Sequence, residues 1–347
     1  MVLSAGDVRP MIKAAKRIVK SASNVHRPDG RPNVFLYSTP RSGSTWLMEL
    51  IWSQPGFKTC NQALYLENPV VRKHLGISEW DELYSVDATE KLRSYLQRLC
   101  DGRLGFTNPN PVRRYYRPIT HRIVFKEIHA PADRINWVRD TFNARVVYLV
   151  RHPIAVTISS ERWPALPSFL TSDYRRHFSK EQLEAARRIL SKGTDLDRGV
   201  LSWCMQNAVA LQEATPDWAV VSYEQLVVDP DPVIRELSDK LALSDPERIR
   251  RRLGVPSVNV QFKSTEETRR LLNEGGADKR SYLVEKWRRK VDRRDEARVM
   301  RILDIFGLDI YRDGETLPDN RLWVNRETPI EDPADGEGRA HPVMRTT

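Results

Sequence analysis

The sequence predicts an α/β domain built on a doubly wound parallel sheet with helices on both faces. Three observations lead there. Short apolar runs at Val34–Tyr37, Ile123–Phe125, Val146–Val150 and Ala219–Val221 are bounded by polar segments, as strands buried on both faces are. Stretches of helical spacing alternate with these runs, the order that βαβ units impose. The first run passes through a Pro/Ser/Gly turn directly into a helical stretch, Trp46–Trp52. With 347 residues, 40% hydrophobic and 29% charged, the chain can bury a sizeable core, and one domain with helical insertions is preferred over two smaller ones.

Residues 1–30 read as a basic arm or short helix: Arg9, Lys13, Lys16, Arg17, Lys20 and Arg27 accompany one apolar face of Met11, Ile12, Ala15, Ile18 and Val19. That face lacks aromatic side chains, which favours packing on the domain surface over insertion in a membrane. The main domain is expected over residues 31–324. Within it, residues 170–199 carry Asp173, Arg175, Arg176, Lys180, Glu181, Glu184, Arg187 and Arg188 around few apolar positions, and read as an inserted helical flap. Residues 325–347 mix Pro329, Pro333, Gly336, Gly338 and Pro342 with acidic residues, too little apolar surface to offset ordering entropy, so a flexible tail is expected.

No run reaches the ~18 apolar residues of a membrane span, and the start of the chain lacks the apolar run of a secretory signal, so a cytoplasmic protein is expected. Cys60, Cys100 and Cys204 are far apart and without paired metal spacing, which argues against a disulfide framework and against a metal centre. Lys and Arg number 56 against 46 acidic residues, and the resulting +10 charge suits a polyanionic partner: nucleic acid, an anionic surface or a nucleotide phosphate. Charge alone does not choose among them.

The segment Tyr37-Ser38-Thr39-Pro40-Arg41-Ser42-Gly43-Ser44-Thr45-Trp46-Leu47 lies between a strand and a helix, where backbone N–H groups and the helix dipole converge on an anion. Gly43 permits close backbone approach, Ser42, Ser44 and Thr45 add hydroxyls, and Arg41 supplies a fixed charge that pairs with phosphate oxygens. The loop is P-loop-like, yet it lacks the lysine that follows the second glycine in triphosphate-hydrolysing loops. A second anion contact is suggested after Arg145–Val150, where Arg151 ends a strand, Pro153 starts a helix, and Ser159 follows about two turns on. An arginine at a strand end is equally compatible with a solvated or salt-bridged residue.

Pro40–Leu47 resembles, position for position, the 5′-phosphosulfate loop of the sulfotransferase superfamily that uses 3′-phosphoadenosine 5′-phosphosulfate (PAPS), in a style similar to its carbohydrate and tyrosyl-protein branches. The resemblance implies that Arg41, Ser42, Gly43, Ser44 and Thr45 hold the 5′-phosphosulfate with Trp46 near the adenine, and that Arg151 and Ser159 grip the 3′-phosphate. Tyr223 resembles the family's adenine-contacting tyrosine. Lys279-Arg280-Ser281 looks like the late loop that closes over the 3′-phosphate, with Gly275-Gly276 as a hinge and the family's glycine step replaced. The resemblance spans about residues 33–312. It implies a sulfotransferase acting on a hydroxyl or amine of a small-molecule or carbohydrate acceptor, with PAPS as donor, no metal and no nucleic-acid partner.

In-line sulfuryl transfer needs charge stabilisation on the departing phosphate and a base for the acceptor proton. Arg41 and Lys126, at the end of Ile123–Phe125, are the candidates for the first task. For the second, Glu67 in Tyr65-Leu66-Glu67-Asn68-Pro69 resembles the acidic base of several branches, and His129 in Lys126-Glu127-Ile128-His129 resembles the cytosolic branch's histidine with spacing off by one. Glu67 is preferred, with Glu127 third. Tyr115, Tyr116, Trp163 and Phe169 are candidate acceptor-pocket aromatics or ordinary packing residues. The competing readings are a P-loop kinase or nucleotide-binding protein and a non-enzymatic nucleic-acid binder.

Overall fold

The computed structural model describes residues 23–160, 162–257, 268–273 and 277–324. The short strands β1 (Val25–His26) and β4 (Ile119–Thr120) pair with each other in parallel. The main sheet contains β2 (Val34–Ser38), β3 (Phe57–Asn61), β5 (Arg122–Glu127), β6 (Arg145–Val150) and β7 (Ala219–Ser222). All five are parallel, in the spatial order β3-β5-β2-β6-β7.

Both faces of this sheet are covered, which is why its strands are continuous apolar runs. Along β2, Phe35 and Tyr37 enter one core with Phe125, Val146, Tyr148 and Trp203, while Val34 and Leu36 enter the other with Leu47, Leu50, Val147, Leu149 and Val221. The principal helices are α1 (Ser44–Trp52), α2 (Pro69–Leu75), α3 (Thr89–Cys100), α4 (Pro153–Thr157), α5 (Lys180–Lys192), α6 (Asp195–Glu213), α7 (Tyr223–Val228), α8 (Pro230–Lys240), α9 (Pro246–Leu253), α10 (Ala277–Glu285) and α11 (Arg293–Ile305). The expected doubly wound α/β sheet is the observed one.

One strand of the main sheet was not legible as an apolar run, nor were the two-residue strands β1 and β4. In β3, Lys58 interrupts Phe57-Lys58-Thr59-Cys60, yet it is buried, and its ammonium donates to Asn108 Oδ1 at 2.9 Å. Arg122 is the corresponding surprise at the start of β5. Its guanidinium donates to the carbonyl of Pro32 (2.7 Å) and to those of Ala242 (2.8 Å) and Leu241 (2.8 Å), the last two being acceptors left at the C-terminal end of α8.

Residues 170–199 contain α5 and the first turn of α6, each opened by a capping box, at Ser179 and Thr194. α6 packs against α4 and α11, and Gly199 allows the close approach: a Cβ there would lie 2.2 Å from Thr157 Cγ2 and 2.6 Å from Trp163 Cζ2. The basic arm before Ser23, the tail from Asn325, Gly275-Gly276 and the Lys279 side chain lie outside the described residues.

Candidate functional site

β2 lies between β5 and β6, and the chain leaves it first toward β3 and later toward β6. The sheet's switch in winding therefore falls at the carboxyl end of β2, the place where open α/β sheets form a crevice. Register brings the other strand ends to the same edge: Leu36 stands opposite Lys126 and Val147, and Val150 opposite Ser222. A cavity of about 240 Å³ opens there. Arg41 and Gly43 line it from the β2–α1 loop, Ser44, Thr45 and Trp46 from the first turn of α1, Lys126 from β5, Arg151 and Ser159 from beyond β6, and Tyr223 from beyond β7.

The β2–α1 loop is held in an uncommon backbone form. Arg41 has φ 66° and Gly43 φ 90°, both left-handed. A side chain at Gly43 is excluded twice, by that angle and because a Cβ would stand 2.6 Å from Tyr223 Cδ2. Arg41 is not a glycine, and holding it there costs on the order of 1–3 kcal/mol, as strained residues at functional sites do. Gln62, φ 57°, also lines the cavity, and its N–H donates to the Lys126 carbonyl at 2.8 Å. α1 begins at Ser44 with no side chain capping it, so the positive end of its dipole faces the loop, and its Trp46 and Leu47 N–H groups donate to the Gly43 carbonyl at 2.9 and 3.2 Å. Ser42 is buried and its hydroxyl pairs with Thr39 Oγ1 at 2.6 Å, a bond that stiffens the loop from behind.

Lys126 donates to Thr45 Oγ1 at 3.0 Å. Burial, reinforced by the nearby Arg41 charge, lowers its pKa to about 8. Arg151 donates to the Arg41 carbonyl at 3.0 Å and lies over the Tyr223 ring at 4.2 Å, while its carbonyl accepts from Trp203 Nε1 at 2.9 Å. Its Nε is buried and without a hydrogen-bond partner. α4 is shorter than expected, so Ser159 sits just beyond it and its hydroxyl returns to the Ala155 carbonyl at 2.8 Å. The Trp46 and Tyr223 rings meet edge to face at 6.1 Å. Arg280 donates to the carbonyl of Leu272, a residue that lines the cavity, so it braces the wall.

A second cavity, of about 320 Å³, shares Pro40, Gln62 and Ile128 with the first, and Tyr65, Glu67, His129 and Arg162 complete its polar lining. Both candidate bases therefore stand at one mouth. Glu67 is exposed and accepts a hydrogen bond from the Tyr65 hydroxyl. The His129 ring stacks on Tyr65 at 5.3 Å and lies 5.1 Å from Trp80, with Nδ1 buried and unpartnered. Burial lowers its pKa to about 4, which keeps the imidazole neutral near pH 7. Glu127 points elsewhere: it accepts the N–H groups of Ala63 (2.9 Å) and Leu64 (3.1 Å), burial raises its pKa to about 8, and it lines neither cavity.

The aromatic candidates are spent on packing. Phe169 is buried against Tyr84 and Tyr174, Tyr115 meets Trp52 edge-on, Tyr116 donates to the Ser23 carbonyl, and Trp163 packs at Gly199. Tyr65, Gln62 and Arg162, which sequence reasoning did not single out, take the cavity positions instead. Only Tyr65 carried a signal, through its place two residues before Glu67.

Among the described residues no group of three His, Cys, Asp or Glu side chains is arranged to hold a metal, and no helix is long and apolar enough to cross a membrane. The family model "Sulfotransferase domain" matches residues 31–304. No curated protein matches the chain. Similar solved structures include the sulfotransferase domain of the Synechococcus PCC 7002 olefin synthase (18% identity, 82% of this chain and 98% of that one, TM-score 0.42). Two others are a mouse sulfotransferase complexed with PAP (14%, 86% and 94%, TM-score 0.32) and a Mycobacterium tuberculosis H37Rv sulfotransferase (14%, 75% and 80%, TM-score 0.31).

Proposed function

The chain belongs to the sulfotransferase family, and we propose that it moves a sulfuryl group from PAPS to a hydroxyl or amine of a small-molecule or carbohydrate acceptor by in-line displacement. One observation carries this reading. Three cations, Arg41, Lys126 and Arg151, converge with the hydroxyls of Ser44, Thr45 and Ser159 on a cavity whose described lining holds no carboxylate. A nucleotide with phosphates at both ends of its ribose fits that donor set, and the buried, unpartnered Arg151 Nε is one further donor for it.

When bound, PAPS supplies a sulfur–oxygen bond that breaks with its electron pair left on the 5′-phosphate. Arg41 and the positive N-terminal end of α1 hold that end. Lys126, fixed by Thr45, meets the charge that develops on the leaving oxygen, and its low-polarity surroundings strengthen the attraction. Arg151 and Ser159 hold the 3′-phosphate, and Tyr223 and Trp46 flank the adenine. Glu67, oriented by Tyr65, takes the acceptor proton from the adjoining cavity. The neutral imidazole of His129 at the same mouth favours a second assignment of the base. Family membership sets aside the kinase and nucleic-acid readings. The test is incubation with ³⁵S-labelled PAPS, a chelator, and a panel of sugars, phenols, nucleosides and peptides. Transfer of label with stoichiometric release of adenosine 3′,5′-bisphosphate is expected; a protein that neither transfers label nor binds the bisphosphate would overturn the proposal.

A further inference from the structure

Glu224 is the residue after Tyr223 and is almost wholly buried, with 1% exposure. A buried carboxylate is retained only if its oxygens are occupied, and here both are. Oε1 accepts the backbone N–H of His152 at 3.0 Å, and Oε2 accepts the Tyr311 hydroxyl at 2.8 Å. The first bond ties α7 to the residue following Arg151. The second ties it to the segment after α11, which Gln225 grips as well: its side chain donates to the Val324 carbonyl (3.0 Å) and accepts the Val324 N–H (2.9 Å). His152 is clamped in turn, its ring 4.3 Å from Trp287 and 5.0 Å from Tyr311. Arg151 itself bridges the Arg41 carbonyl and the Tyr223 ring.

From this geometry we infer that Glu224 is a positioning residue for the donor nucleotide. It locks the end of β6 to the start of α7, so that Arg151 and Tyr223 are presented as one preformed unit, and Tyr311 extends the lock to the C-terminal segment. The inference rests on the donor assignment proposed above. A carboxylate that only stabilised the fold would change melting temperature without changing selectivity between nucleotides. One that sets the Arg151 guanidinium changes recognition of the 3′-phosphate first.

The experiment is titration of adenosine 3′,5′-bisphosphate and of AMP into the full chain and its variants, with donor KM and kcat measured alongside. Glu224→Gln and Tyr311→Phe, which keep shape and remove part of the lock, are expected to weaken the bisphosphate about 10-fold and to raise donor KM similarly. AMP affinity, acceptor KM and kcat should change much less. In an Arg151→Ala background the Glu224→Gln loss should vanish, as coupled residues require. Unchanged bisphosphate affinity in folded Glu224→Gln and Tyr311→Phe, or equal loss for AMP, overturns the inference. Absence of bisphosphate binding in the unsubstituted chain would instead defeat the donor assignment beneath it.

Discussion

The proposed donor side and the proposed acceptor side of the crevice are built by different means. On the donor side Lys126 is the penultimate residue of β5, Arg151 and Tyr223 directly follow β6 and β7, and the loop after β2 leads into α1, so four strand ends place the polar groups. Hydrogen bonds then cross-link them, Arg151 to the Arg41 carbonyl and Lys126 to Thr45. On the acceptor side Tyr65, Glu67, His129 and Arg162 come from loops, and stacked rings are their main cross-link. A site set by strand ends is rigid before any ligand arrives, whereas one set by loops on a scaffold is free to vary with the acceptor.

The largest expected effect probes the acceptor side. Glu67→Gln should lower kcat by about 10²–10⁴-fold while leaving bisphosphate binding nearly unchanged, because it removes a basic oxygen without altering size. His129→Ala should lose less, through the stacking partner that Tyr65 needs. The reverse ranking in steady-state assays would give the base to the histidine. On the donor side Lys126→Ala should cost about 10²–10³-fold in kcat, the usual loss for one group that meets developing charge. Its pH dependence has a definite sign. Raising pH removes the proton, so kcat/KM should fall as pH passes through about 8 in the free enzyme, and that alkaline limb should disappear in Lys126→Arg. Were His129 the base, an acid limb near pH 4 should accompany it.

A smaller effect is expected at Gly199, which supports the loop before Pro164 rather than the nucleotide loop. Gly199→Ala pushes a Cβ into Thr157 and Trp163, so thermal denaturation should show a loss of about 1–3 kcal/mol. Acceptor KM should rise several-fold, more than donor KM. A larger change in donor KM would show that the two sides are not independent.

The same division explains what was legible in the sequence. Four of the five main-sheet strands and the Pro40–Leu47 loop follow from local pattern, because strand–loop–helix geometry fixes their place whatever surrounds them. β3 was hidden by Lys58, whose burial depends on a partner fifty residues away, Asn108. The turn of Ser42 toward Thr39 reflects a backbone twist at Arg41 and Gly43 that residue identity does not announce. Glu127, third choice for the base, is directed by the amides of Ala63 and Leu64. Tyr65 and Arg162 reach the acceptor cavity through tertiary packing, to which periodicity is blind.

Recognition of two phosphates by protein groups alone in the donor cavity is the premise of the proposed function. Calorimetric titration in a chelating buffer, comparing adenosine 3′,5′-bisphosphate with AMP on the unsubstituted chain and on Arg151→Ala, measures this directly. Micromolar or tighter binding of the bisphosphate is expected, with AMP much weaker. Arg151→Ala should erase most of the difference, a loss of ~2–3 kcal/mol for one charge-assisted contact. Equal affinity for the two nucleotides on the unsubstituted chain would contradict the assignment of Arg151 and Ser159 and the donor proposed from it.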